Sequence, residues 1–75
     1  MISFDPLWST LASKQMNKGD LQKITRLSST TIAKLAKNEV VKLDVVDRIC
    51  GALQVPIYDV VEIVPDSAGN GSDEG

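Results

Sequence analysis

Residues 17–37 read NKGDLQKITRLSSTTIAKLAK, and the way this stretch folds decides the rest of the chain. Asn17 has the side-chain oxygen that caps a helix start, and Asp20 follows three residues later, near the helix's positive end. Leu21 and Ile24 are expected to form the buried face of this short helix, which should fade near Thr25 and Arg26. Ser28, after the apolar Leu27, is the next capping candidate. The spacing then predicts a second helix over residues 29–37, with Asn38 as a left-handed stop. At about 100° per residue, Ser28, Leu35 and Ala36 gather within about 60° of Ile32, whereas Thr30, Lys34 and Lys37 lie roughly 140–200° away. Ala33 sits on the flank of that outer face. The helix therefore has an apolar back and a polar, basic front without bulk.

The flanking sequence supplies a scaffold. Asp5-Pro6 is a helix start signal, an acidic cap followed by proline at the first helical position. The helix it opens is expected over residues 6–15, with Leu7, Trp8, Leu11 and Ala12 in one stripe. After a loop at 38–42, in which Val40 and Val41 are expected to turn inward, a further helix is predicted over 43–54. Val45, Val46, Ile49, Cys50 and Leu53 share its apolar face. Gly51 lowers local helix propensity by about 1 kcal/mol relative to alanine, so close packing is expected there. Val55-Pro56 breaks the chain, and a fifth short helix is expected over 57–61. The alternating Ile2-Ser3-Phe4 and Glu62-Ile63-Val64 are expected to pair antiparallel, tying the two ends together. The expected fold class is all-α: a compact five-helix domain over residues 1–65. Residues 66–75, DSAGNGSDEG, carry no large apolar group and are expected to form a flexible acidic tail.

Composition narrows the function. The 75 residues suffice for one small domain, and 43% hydrophobic content is ample for a core. No apolar run approaches the roughly 18 residues of a membrane span, and no signal-peptide pattern opens the chain, so a cytoplasmic location is expected. Histidine is absent and Cys50 is the lone cysteine, so Ser–His and Cys–His catalysis and a zinc cluster are excluded. Cys50 itself is expected to be a small core residue. With no glycine-rich phosphate loop either, no enzyme, cofactor, metal or small-molecule substrate is expected.

The net charge of −2 hides a division. Between Lys14 and Lys42, seven basic residues face only Asp20 and Glu39, a local balance of +5. Beyond Lys42, Asp44, Asp47, Asp59 and Glu62 face only Arg48, and the tail adds Asp66, Asp73 and Glu74. A positive zone beside a negative one suits one-sided binding to a polyanion.

Two short helices across a three- or four-residue turn, with one face of the second left free for a groove about 12 Å wide, meet the requirements of a helix-turn-helix. Leu21, Ile24, Leu27, Ile32 and Leu35 are spaced to supply its packed face. The side chains assign roles. Ser28, Ser29 and Thr30, at the start of the second helix, are all expected among the nucleic-acid contacts, and Ser29 and Thr30 in particular can meet base edges or phosphates. Lys34 is placed for a guanine O6/N7 contact, Lys37 for phosphate, and Ala33 permits close approach to bases. Lys18 and Lys42 are placed for backbone contacts, together with helix N-terminal amides.

Residues 21–37, with Pro6-Leu7-Trp8, Lys18-Gly19-Asp20-Leu21, Arg48-Ile49-Cys50, Leu53 and Tyr58-Asp59-Val60-Val61 around them, resemble the lambda-repressor/Cro-like superfamily of DNA-binding domains over about residues 2–65. The resemblance is to its minimal bacterial and phage regulators. It implies five helices with the third as recognition helix, double-stranded DNA as partner, and regulation of transcription. Two positions depart from the usual pattern. Gln22 stands where alanine is usual, so its side chain must point outward or the helix must sit farther off. Arg26 stands where the turn usually starts with glycine, at a place that often needs φ > 0. Either the turn is altered, or Arg26 accepts the strain while reaching toward phosphate.

A single domain offers few base contacts, so a homodimer on two half-sites about 34 Å apart is expected, with Trp8, Phe4 and Ile63-Val64 as interface candidates. The alternative is a protein-interaction module of helix-turn-helix descent, of antitoxin or anti-repressor type, using the acidic half and Tyr58.

Overall fold

Capping, proline placement and apolar spacing translate into elements in chain order. The computed structural model describes residues 1–65; the acidic tail expected at 66–75 lies outside the described residues. Four helices, α1 (Asp5–Ser13), α2 (Lys18–Thr25), α3 (Ser29–Ala36) and α4 (Leu43–Leu53), are followed by a 3-10 turn at Ile57–Asp59. Two short strands, β1 (Ile2–Ser3) and β2 (Glu62–Ile63), pair antiparallel in the expected sense, Ile2 opposite Ile63 and Ser3 opposite Glu62. Met1 and Val64 extend this ladder, the Val64 amide donating to the Met1 carbonyl at 2.8 Å.

The expected fifth helix is only this 3-10 turn. The backbone is extended at Pro56 and must be extended again at Glu62 to pair with Ser3, so too few residues remain between them for an α-helix. Its bonds run from the Asp59 amide to the Pro56 carbonyl and from the Val60 amide to the Ile57 carbonyl. The Thr10 hydroxyl donates to the Asp59 carbonyl at 2.7 Å and fastens the turn to α1. The domain is thus mostly helical, with four α-helices rather than five and the expected small terminal sheet.

The core is drawn from all four α-helices and the residues beside them: Phe4, Leu7 and Leu11; Leu21 and Leu27; Ile32 and Leu35; Val46, Ile49 and Leu53; and Val60. Several expectations are corrected by it. Ile24 is 46% exposed, and Thr25 takes the buried place at 2%. Val40 is 74% exposed; only Val41 turns partly inward. Gly51 has open space where a Cβ would stand, so close packing does not explain it. Cys50 is half-buried rather than enclosed. Burial, followed by the charges of Asp47 and Asp59, pushes its thiol above the ordinary 9.0. Asp5 is the first residue of α1 and not its cap; Phe4 holds the cap position, and Ser3 Oγ accepts the Asp5 amide at 3.2 Å.

Every α-helix stops the same way. Gln15, Arg26, Asn38 and Gln54, which follow or end the four helices, have φ of 57–59°, and none is glycine. Beyond α1 and α3 the next amides reach back: Met16 to the Leu11 carbonyl and Glu39 to the Lys34 carbonyl, both at 2.9 Å. This is the Schellman arrangement, which satisfies carbonyls that the last turn would leave bare.

Candidate nucleic-acid interface

The candidate interface is built on two capped helices and the turn between them. At α2, Asn17 Oδ1 accepts the Asp20 amide at 2.8 Å, and Asp20 Oδ2 accepts the Asn17 amide at 3.1 Å. This reciprocal box anchors the helix start. At α3, Ser28 Oγ accepts the Thr31 amide at 3.2 Å and lies 3.0 Å from Thr31 Oγ1. Arg26, Leu27 and Ser28 form the turn. Arg26 is left-handed at φ 59°, ψ 28°, so the tight turn is kept with a non-glycine residue. Its amide donates to the Gln22 carbonyl at 2.8 Å, and its side chain is exposed.

Thr25 stitches the turn from inside. Its hydroxyl donates to the Leu21 carbonyl at 2.7 Å and accepts the Leu27 amide at 3.4 Å. From α4, Arg48 Nη1 donates to the Thr25 carbonyl at 3.4 Å, setting a cation at the negative end of α2. These two residues were not singled out for this task in the sequence. Thr25 was legible as the position about 40° from Leu21, nearer its centre line than Ile24 at about 60°. Arg48 has no comparable local signal, because its partner is 23 residues away.

Ile32 and Leu35 anchor α3, at 7% and 0% exposure. With them buried, Thr30, Lys34 and Lys37 are exposed, as the helical angles require, and Ser29 and Ala33, about 60° and 100° from Ile32, are exposed too. Ala36, expected on the back, is exposed as well. Lys34 and Lys42 line one open cleft of about 440 Å³ with Thr31, Val40, Val41 and Val45. Lys42 stands at the N-cap of α4 without a capping side chain of its own. Lys37 lies apart from this cleft, in a hollow with Met1, Ile2, Asn38 and Val40. Lys18 opens α2, with Nζ 5.2 Å from the centroid of the half-buried Trp8 ring. Ser28 is exposed, but its hydroxyl is occupied as the cap of α3. Gln22 does point outward, and it acts across the motif: Nε2 donates to Ser29 Oγ at 3.1 Å.

Asn38 holds the far end of α3. Left-handed itself, it accepts the Phe4 amide on Oδ1 at 2.7 Å, so the strand ladder and the exit of α3 share one residue. Phe4 is 1% exposed, which removes it from the candidates for a dimer interface. Ile63 is exposed, and so are Leu43, Ile57 and Tyr58 along a groove between α4, the 3-10 turn and β2. Among the described residues, no group of three or more His, Cys, Asp or Glu side chains is arranged to hold a metal ion, and no helix is long and apolar enough to cross a membrane.

Comparison with known proteins agrees with this geometry. The crystal structure of transcriptional regulator VanUg (form II) is similar to this chain at a TM-score of 0.83 and 38% sequence identity, over 87% of each chain. No curated protein sequence matches significantly. The family profile of the Cro/C1-type helix-turn-helix DNA-binding domain matches residues 6–66. With a buried anchor behind α3, a three-residue turn before it and this match across nearly the whole described chain, the protein belongs to the Cro/C1-type helix-turn-helix DNA-binding family.

Proposed function

We propose that the domain is a transcriptional regulator that binds double-stranded DNA with α3 as its recognition helix. The observation that carries this reading is the exposed front of α3, Thr30, Ala33, Lys34 and Lys37, on a helix locked from behind by Ile32 and Leu35. A helix about 10–12 Å across fits a major groove about 12 Å wide only if its front is small or flexible, as here. Ser29 and Thr30 meet base edges or phosphates, Ala33 lets the helix come close, and Lys34 addresses guanine O6 and N7. Lys37, Lys42 and Lys18 bind phosphates, which fix register and supply most of the non-specific affinity. Ser28 contributes by holding α3 in shape, through the cap it already makes.

Two copies on half-sites about 34 Å apart would give the site enough length for specificity. Leu43, Ile57, Tyr58 and Ile63, exposed on one groove, are the apolar candidates for that contact. The same groove favours the second reading, a domain that binds a protein partner there.

Selection of duplexes from a random library tests the proposal and reads the half-site spacing. Lys34→Ala combined with Lys37→Ala should abolish specific binding while leaving thermal stability nearly unchanged, since both side chains are exposed. Intact folding with unaltered binding refutes the assignment of α3. Duplex affinity should also fall steeply between about 50 and 200 mM salt, whereas an apolar protein contact barely responds.

A further inference from the structure

Four hydroxyl side chains open α3, and they are not equivalent. Ser28 and Thr31 are bonded to each other and to the helix cap. Thr30 is exposed on the front. Ser29 alone is reached from another helix, by Gln22 Nε2 at 3.1 Å across the turn. A hydroxyl has one proton to give and lone pairs to receive. With the Gln22 amide donating into one lone pair, the Ser29 proton is directed away from α2. Accepting a bond also strengthens the bond that a hydroxyl donates.

We infer that Gln22 is a positioning residue for DNA recognition, holding the Ser29 hydroxyl as a donor toward an acceptor atom on the duplex. The inference rests on the DNA-binding reading above and names the polarity of one contact within it. The acceptor is a base-edge atom, such as purine N7, guanine O6 or thymine O4, or else a phosphate oxygen. Side-chain chemistry explains why glutamine suits the position. It spans the gap between the helices, adds no charge, and donates where a glutamate would only accept and so reverse the hydroxyl.

The test uses the full chain and a duplex selected by the wild-type protein, with dissociation constants measured at one fixed salt concentration for Gln22→Met, Ser29→Ala and the double variant. Methionine keeps the length and helix propensity of glutamine without the donor. Each single variant should bind about threefold to tenfold more weakly, the range of one hydrogen bond. The double variant should bind no more weakly than Ser29→Ala alone, because Gln22 acts only through Ser29. A base-edge acceptor appears as a relaxed preference at one base position, the same in both single variants; a phosphate acceptor appears as an equal loss on every duplex. Both patterns support the inference. Losses that multiply in the double variant, or a Gln22→Met protein that binds like wild type, overturn it. Thermal midpoints of the variants should stay close to wild type, since the bond is exposed, and a large drop would overturn the positioning role in favour of a structural one. Failure of the wild-type protein to select any duplex would overturn the DNA reading itself, and this inference with it.

Discussion

Replacing Arg26 with glycine should make the protein more stable. Arg26 is held at φ 59°, ψ 28°, a conformation that a residue with a Cβ adopts at a cost of about 1–2 kcal/mol. Its one backbone bond, to the Gln22 carbonyl, survives in glycine, and its side chain is exposed. Among the described residues, its side chain makes no hydrogen bond that the change would remove. Against the relief stands the greater freedom of glycine in the unfolded chain, worth about 0.4–1 kcal/mol. The net gain is about 0.5–1 kcal/mol, which for a domain of this size raises the melting midpoint by about 2–8 °C. Thermal unfolding followed by circular dichroism measures it. Gln54→Gly, remote from α3 and also left-handed at φ 57°, is the control for the same arithmetic. If neither variant melts above wild type, the reasoning about left-handed helix stops is refuted.

Asn38→Gly should move the other way, by about 1–2 kcal/mol, because glycine suits φ 58° but abandons the part-buried Phe4 amide. A rise in midpoint would show that the side-chain bond contributes nothing. Leu21→Ala removes a fully buried side chain under α2 and should cost about 2–5 kcal/mol in urea unfolding. A loss below 1 kcal/mol would mean that the core closes over the gap. Cys50 should react with iodoacetamide more slowly in the native than in the unfolded protein near pH 9, since its thiol is held above 9.0. Because the raised group favours its protonated form in the fold, its contribution to stability is present below the unfolded value and is lost as pH rises past it. Equal alkylation rates in the two states would contradict this.

Local chemistry made much of the motif legible. Asn17, Asp20 and Ser28 cap where their side chains indicate, and Asn38 stops α3 as expected. The strand pairing between the ends also follows from the alternating segments. What hydropathy and spacing did not disclose lies partly in local side-chain bonds and partly in partners distant in sequence. In an eight-residue helix, Ile24 and Thr25 flank Leu21 on opposite sides, and hydropathy favours the wrong one. Thr25 is buried because its hydroxyl closes two bonds within the turn, a gain that hydropathy does not count. Val40 stays outside because the loop carries it over the cleft beside Lys34 and Lys42. The front of α3 was readable from helical angles; the bond from Gln22 to Ser29 required the crossing of two helices.

The ladder that joins Met1 to Val64 has a consequence for topology. Since the ends of the domain lie within a hydrogen bond of each other, the order of its elements along the chain is not essential to their packing. A circular permutant joining Pro65 to Met1 through a short linker, and opening at the exposed Val40, should melt in one cooperative transition with native helical content. A permutant that stays unfolded would mean that the connection from α3 to α4 is itself indispensable. By the same closeness of its ends, the domain is suited to insertion within another protein, where it would enter and leave through a single point on the host.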